Sequence, residues 1–112
     1  MENDLNINIL NYTPHEITIF LENDEIVIPS DGVATIFHNE IIQNSIFIDG
    51  KCVQITKRNF GRIVGLPKSK KNTLFIVSSI VRKNSHRCDL ISPSNFVHNK
   101  DGKIIGCKNF VR

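Results

Sequence analysis

Apolar and polar residues alternate through residues 5–10, Leu-Asn-Ile-Asn-Ile-Leu, at the period of two expected of a half-buried strand. Asn11-Tyr12-Thr13-Pro14-His15 breaks the pattern, because Pro14 lacks a donor and fixes its φ angle. Alternation resumes in Ile17-Thr18-Ile19-Phe20, and Glu22-Asn23-Asp24 reads as a turn into Glu25-Ile26-Val27-Ile28. Pro29-Ser30-Asp31-Gly32 is a further turn. A strand over 33–42 follows, with a bend at His38-Asn39.

The second half continues in the same way. Residues 45–48 and 51–55 flank Asp49-Gly50, a dipeptide that supplies the positive φ angles of a tight hairpin. Residues 61–65 form a short strand bounded by glycines, and Pro67 to Asn72 is an exposed basic loop. Leu74-Phe75-Ile76-Val77 reads as a central strand buried on both faces. It leads into 78–84, the best helix candidate, although two turns are marginal alone. Asp89-Leu90-Ile91 is short and extended, and residues 95–98 and 103–107 flank a second Asp-Gly turn at 99–102. The pattern predicts a mainly β (or α+β) fold over residues 1–112: one compact antiparallel or mixed sheet domain with one short helix near 78–84.

Composition agrees with the pattern. The chain has 18 Ile, 8 Val and 5 Thr against 6 Leu and the single Ala34. β-branched side chains suit a pleated sheet, and the strongest helix formers are scarce. No stretch approaches the ~18 apolar residues of a membrane-spanning helix. The acidic start Met1-Glu2-Asn3-Asp4 is unlike a signal peptide. Cys52, Cys88 and Cys107 are odd in number and widely spaced, which suits reduced thiols in a cytoplasm.

The net charge of +3 conceals a division. Residues 1–50 hold nine acidic groups and no Lys or Arg, whereas residues 51–112 hold fourteen basic groups and two acidic ones, Asp89 and Asp101, so the halves carry −9 and +12. Either strands of the two halves interleave and neutralise one another, or some of the cations converge on an anionic partner. The acidic half would repel a long polyanion. That favours a compact anion over nucleic acid, although Lys68, Lys70 and Lys71 with Phe60, Phe75, Phe96 and Phe110 offer the elements of a nucleic-acid surface.

Catalytic and metal motifs are sparse. Gly61-x-x-x-Gly65 lacks the Gly-Lys-Ser/Thr ending of a phosphate loop. His86-x-Cys88 and His98 with Cys107 lack the paired spacing of a zinc site, and no cofactor is implied. Arg87 and Asp89 stand one residue apart, so an extended backbone sets them on one face. The first explanation of such a pair is a surface ion pair; the functional one has Arg87 offer a planar fork to phosphate or carboxylate while Asp89 accepts from hydroxyls or orients the arginine. Asn11-Tyr12-Thr13-Pro14-His15 is either a polar turn whose side chains bind their own backbone or a loop presenting Thr13 and His15 to a ligand.

Several of these pieces recur together in one order: Asn11-x-Thr13-Pro14-His15, Ile28-Pro29-x-x-Gly32-x-Ala34, Gly61-x-x-x-Gly65-Leu66-Pro67, Leu74-x-Ile76-Val77-Ser78, Arg87-x-Asp89-Leu90-x-x-Pro93 and Asp101-Gly102-Lys103-Ile104-Ile105-Gly106-Cys107. The set resembles a family of small phage, prophage and bacterial proteins that open on Asn-Leu-Thr-Pro-His. Tyr12 stands where an aliphatic residue is usual, and Lys100 where acidic residues are common. The resemblance implies a bacterial cytoplasmic setting and brings no reaction with it. By analogy with small phage proteins that sequester nucleotide-derived immune signals, it leads to a non-catalytic, homo-oligomeric protein holding a small anionic nucleotide-like ligand. Arg87 and Arg82 would supply the cations, and Thr13, His15 and Asp89 the polar contacts. Two other readings stay open. One is an enzyme on the same ligand with His15 as base and Asp89 as its partner. The other is a nucleic-acid or host-protein interaction module.

Overall fold

In a computed structural model, which describes residues 6–112, Phe75, Ile76 and Val77 are fully buried at the centre of the molecule. Phe75 and Ile76 belong to β6 (Thr73–Ile76), flanked by β1 (Asn8–Asn11) and β7 (Leu90–His98), both parallel to it. Buried on both faces, this strand needs no alternation, and it reads as the apolar run that the sequence shows. β8 (Ile104–Val111) runs antiparallel to β7, β2 (Ile17–Phe20) parallel to β8, and β3 (Glu25–Ile28) antiparallel to β2. The mixed six-stranded sheet has the order β1-β6-β7-β8-β2-β3. Strands of the basic half therefore lie between strands of the acidic half, and among the described residues one ion pair, Arg58 with Glu40, joins the two halves.

The helix forms where expected. α1 (Ser79–Lys83) is capped by Ser78, whose hydroxyl accepts from the Val81 amide at 3.3 Å. Its one buried residue, Val81, joins Ala34, Phe75, Val77 and Leu90 in the core, with Leu10, Tyr12, Ile36, Ile63 and Leu66 packed around them.

Three boundaries differ from the sequence pattern. β1 begins at Asn8, after Asn6 and Ile7, while Leu5 lies outside the described residues. Residues 89–91 and 95–98 merge into β7 through Pro93. The carbonyl of Ile91 accepts from the Val77 amide, so two residues on, the missing N–H of Pro93 points to the side where β6 has ended. Most of all, the four segments between 33 and 65 are two long strands. β4 (Thr35–Ile48) and β5 (Lys51–Val64) form a separate antiparallel ribbon of 14 residues per strand, with one-residue slips between Ile36 and His38 and between Ile42 and Asn44.

Asp49 and Gly50, at φ 50° and 74°, turn the ribbon at its tip. At its root, Ile36 and Ile63 pack against the core and Gly65 sits at φ 87° under the carbonyl of Val33, where a Cβ has no room. Beyond the root the ribbon is exposed along both strands.

Candidate functional site

The five residues that the sequence singles out fall into three networks. Asp89 lies just before β7, and its carbonyl accepts from Phe75 in β6 at 2.9 Å. From that anchored position its carboxylate meets the guanidinium of Arg87 edge-on, Nε to Oδ1 at 2.9 Å and Nη2 to Oδ2 at 2.7 Å. Nη1 donates to the Pro67 carbonyl at 2.6 Å, and the cation lies 5.4 Å from the centre of the Phe75 ring. Arg87 thus ties the loop around Pro67 to the start of β7, with all three nitrogens engaged. The pair is partly buried, at 28% and 15% side-chain exposure. The hydrogen bonds from Arg87 hold the Asp89 carboxyl below its usual range, against a burial effect of opposite sign.

Arg82 is placed by α1, where its Nε donates to the hydroxyl of fully buried Ser92 at 2.7 Å. Thr13 and His15 belong to a turn organised by Asn11, which is fully buried. The Asn11 amide nitrogen donates to the carbonyls of His15 at 2.9 Å and Ile28 at 3.2 Å, while its oxygen accepts from the Thr13 amide at 2.9 Å. The Thr13 hydroxyl lies 2.7 Å from that same oxygen and 3.1 Å from the His15 carbonyl. The His15 ring is exposed. The sequence marks residues 11–15 as a polar turn whose side chains can bind their own backbone, and Asn11, at the end of a strand and two residues before a Thr, is the residue that organises it. Among the described residues, no side-chain hydrogen bond or ion pair runs directly between these three networks.

The concave surface lies elsewhere, at the root of the ribbon. A cleft of about 270 Å³ is bounded by Pro14 of the Asn11 turn, by Ser78 and Ile80 at the start of α1, and by Thr35, His38, Arg58 and Phe60 of the ribbon. His38 and Phe60 are register partners with ring centres 6.1 Å apart, and they also wall a shallower hollow of about 310 Å³ on the ribbon. Arg58 reaches Glu40 at 3.4 Å with both side chains about half exposed, a loose pair that leaves its guanidinium available. Glu40 is absent from the cleft wall, which carries one guanidinium, one imidazole, two hydroxyls, a phenyl ring and no carboxylate.

Counting outward from the Asp49-Gly50 turn pairs Ser45 with Gln54 and Asn44 with Ile55. The slip beyond Asn44 then brings Glu40 to Arg58 and His38 to Phe60. A longer hairpin in the sequence reading would have assembled this wall.

A third hollow, of about 170 Å³, lies over β2, β7 and β8 and is largely apolar. It reaches Cys107, whose burial raises the thiol pKa. All three cysteines are unpaired, Cys52 and Cys88 at the surface. Among the described residues, no group of three or more His, Cys, Asp and Glu is arranged to hold a metal ion, and no helix is long and apolar enough to cross a membrane. No family model, curated protein or solved structure matches the chain.

Proposed function

We propose that the protein is a non-catalytic binding protein for a small anionic ligand bearing an aromatic ring, of the nucleotide class, taken into the cleft at the ribbon root. The observation that carries this reading is the lining: Arg58 faces a wall without carboxylates, beside His38, Thr35 and Ser78 as hydrogen-bonding groups and Phe60 as a stacking surface. A concave site with a few convergent polar groups among apolar ones is how small ligands are commonly held. The contacts around Arg87 favour a bracing role there, so the cation assigned to the ligand moves to Arg58. The Thr13–His15 turn keeps a place at the rim through Pro14. A phage-type sequestering role follows from the family resemblance and from analogy. Two exposed unpaired thiols suit the reducing cytoplasm of a bacterial host.

The test is to incubate the protein with a panel of cyclic and linear nucleotides, remove the unbound fraction, denature and analyse what is released. Intact nucleotide is expected from the native chain, with retention lost in Arg58→Ala and weakened in Phe60→Ala. Recovery of an altered product would replace capture with catalysis. No retention at micromolar protein would overturn both, and loss in Arg87→Ala with the fold intact would return the site to Arg87.

A further inference from the structure

Between Ile36 and His38 the first strand of the ribbon advances two residues, while its partner runs three, from Ile63 to Phe60. Phe37 therefore stands against both Gly61 and Arg62, and a two-against-one bulge of this kind breaks the alternation of faces and re-aims side chains. Here Phe37 and Phe60 come to line one hollow, that of about 310 Å³, with His38, Asn39, Asn59 and Gly61. Phe37 is 57% exposed, and the guanidinium of Arg62 lies 5.7 Å from the centre of its ring. Gly61 is outside the left-handed region, and a Cβ there would meet Phe37 at 3.6 Å, an ordinary contact. The backbone does not require this glycine. Its lack of a side chain keeps the hollow open.

The hollow repeats the chemistry of the cleft beside it. The cleft has Arg58, Phe60 and the hydroxyls of Thr35 and Ser78. The hollow has Phe37, with Arg62 against its ring, and the carboxamides of Asn39 and Asn59, which are register partners. A carboxamide presents a donor and an acceptor together, the combination that the edge of a nucleobase can pair with. Neither space is lined by a carboxylate, and His38 and Phe60 line both. Phe37 adjoins His38, the partner of Phe60, so the two phenyl rings spring from Cα atoms within about 9 Å of one another.

Resting on the reading of the cleft as a nucleotide site, we propose that the cleft and the hollow together take one dinucleotide, two nucleotides joined through phosphate with one in each space. Two phenyl rings then meet two bases, and two guanidiniums meet the phosphates. Volumes of about 270 and 310 Å³ lie at the small end of ligand pockets, so each space suits one nucleotide and not the pair. Linkage makes the second contact intramolecular, which raises affinity by roughly 10²–10⁴ over either half alone.

Isothermal titration calorimetry on the full chain tests this, with adenosine and guanosine 5′-monophosphates and the linear and cyclic dinucleotides built from them. The better of the two dinucleotide forms is expected to bind roughly 100-fold or more tightly than a mononucleotide. Gly61→Val fills the hollow with a side chain suited to a strand, and is expected to remove that preference while mononucleotide binding stays as it was. Arg58→Ala is expected to weaken both. Equal affinity for mono- and dinucleotides would overturn the shared ligand and leave the cleft reading in place, as would a Gly61→Val chain that keeps the preference. Binding of neither would overturn both. A tetranucleotide held more than about 10-fold tighter than either dinucleotide would overturn it in favour of a single strand. Should Gly61→Val misfold, Asn59→Ala at an exposed position decides: dinucleotide binding about 10-fold weaker at constant mononucleotide binding is expected, and no change would count against the hollow.

Discussion

The guanidinium of Arg87 lies over the ring of Phe75 while its Nε and Nη2 hold the two carboxylate oxygens of Asp89. The planar fork matches the carboxylate, and the flat face of the cation matches the ring, so one side chain serves the core and the loop beside it. Arg87→Ala would leave a partly buried carboxylate and the Pro67 carbonyl without their donor. A loss of about 2–3 kcal/mol is expected in urea denaturation. Arg87→Lys should recover little of it, because an ammonium cannot make the two parallel bonds.

The same pair sets an acid limit. The folded Asp89 carboxyl titrates below its unfolded value, so the pair's contribution is complete above pH ~4 and fades as pH falls through the lower folded value. Asp89→Asn removes that contribution. The stability difference between native chain and variant should be constant from pH 7 to 5 and shrink toward pH 2.5, as read from urea midpoints.

Thiol chemistry should divide the cysteines. Cys52 and Cys88 are exposed, whereas Cys107 is 1% exposed and its thiol pKa is raised by burial. At pH 8 the native protein is expected to react quickly at two thiols. The third should react roughly 100-fold more slowly, at a rate set by local opening, and should equal the others in urea.

Asn11 carries more of the fold than its type suggests. Asn11→Ala would strand the His15 and Ile28 carbonyls and the Thr13 amide, and a loss of about 2–3 kcal/mol is expected by thermal or urea denaturation. Asn11→Asp should cost more, because it turns a carboxylate toward two carbonyls in place of a donor.

These residues also mark what could be read in the sequence. β6 announced itself because Leu74 to Val77 is apolar without interruption, and α1 stood out as the best helix candidate in the chain, although its Ser78 cap is visible only in the structure. The ribbon was divided because Asn39, Asn44 and the segment from Lys57 to Asn59 interrupt the alternation. A ribbon standing in water tolerates such interruptions, since most of its length is fixed by cross-strand hydrogen bonds rather than by a core. The pairing of Arg87 with Asp89 followed from their spacing. Its third contact, with Pro67, is 20 residues away, so local pattern does not show that the arginine is already engaged.

The ribbon's attachment has a mechanical consequence. Ile36 and Ile63 clamp it at one end, and the slip between Ile36 and His38 lies just beyond the clamp. A 14-residue strand is about 45 Å long, so a rotation of about 10° at this pivot carries the tip through roughly 8 Å. The cleft sits at the same root, with His38, Arg58 and Phe60 on the ribbon and Pro14, Ser78 and Ile80 off it, so such a rotation would alter its width. Any tilt of the ribbon at its root would couple a small change in the width of the cleft to a large excursion of the distant turn.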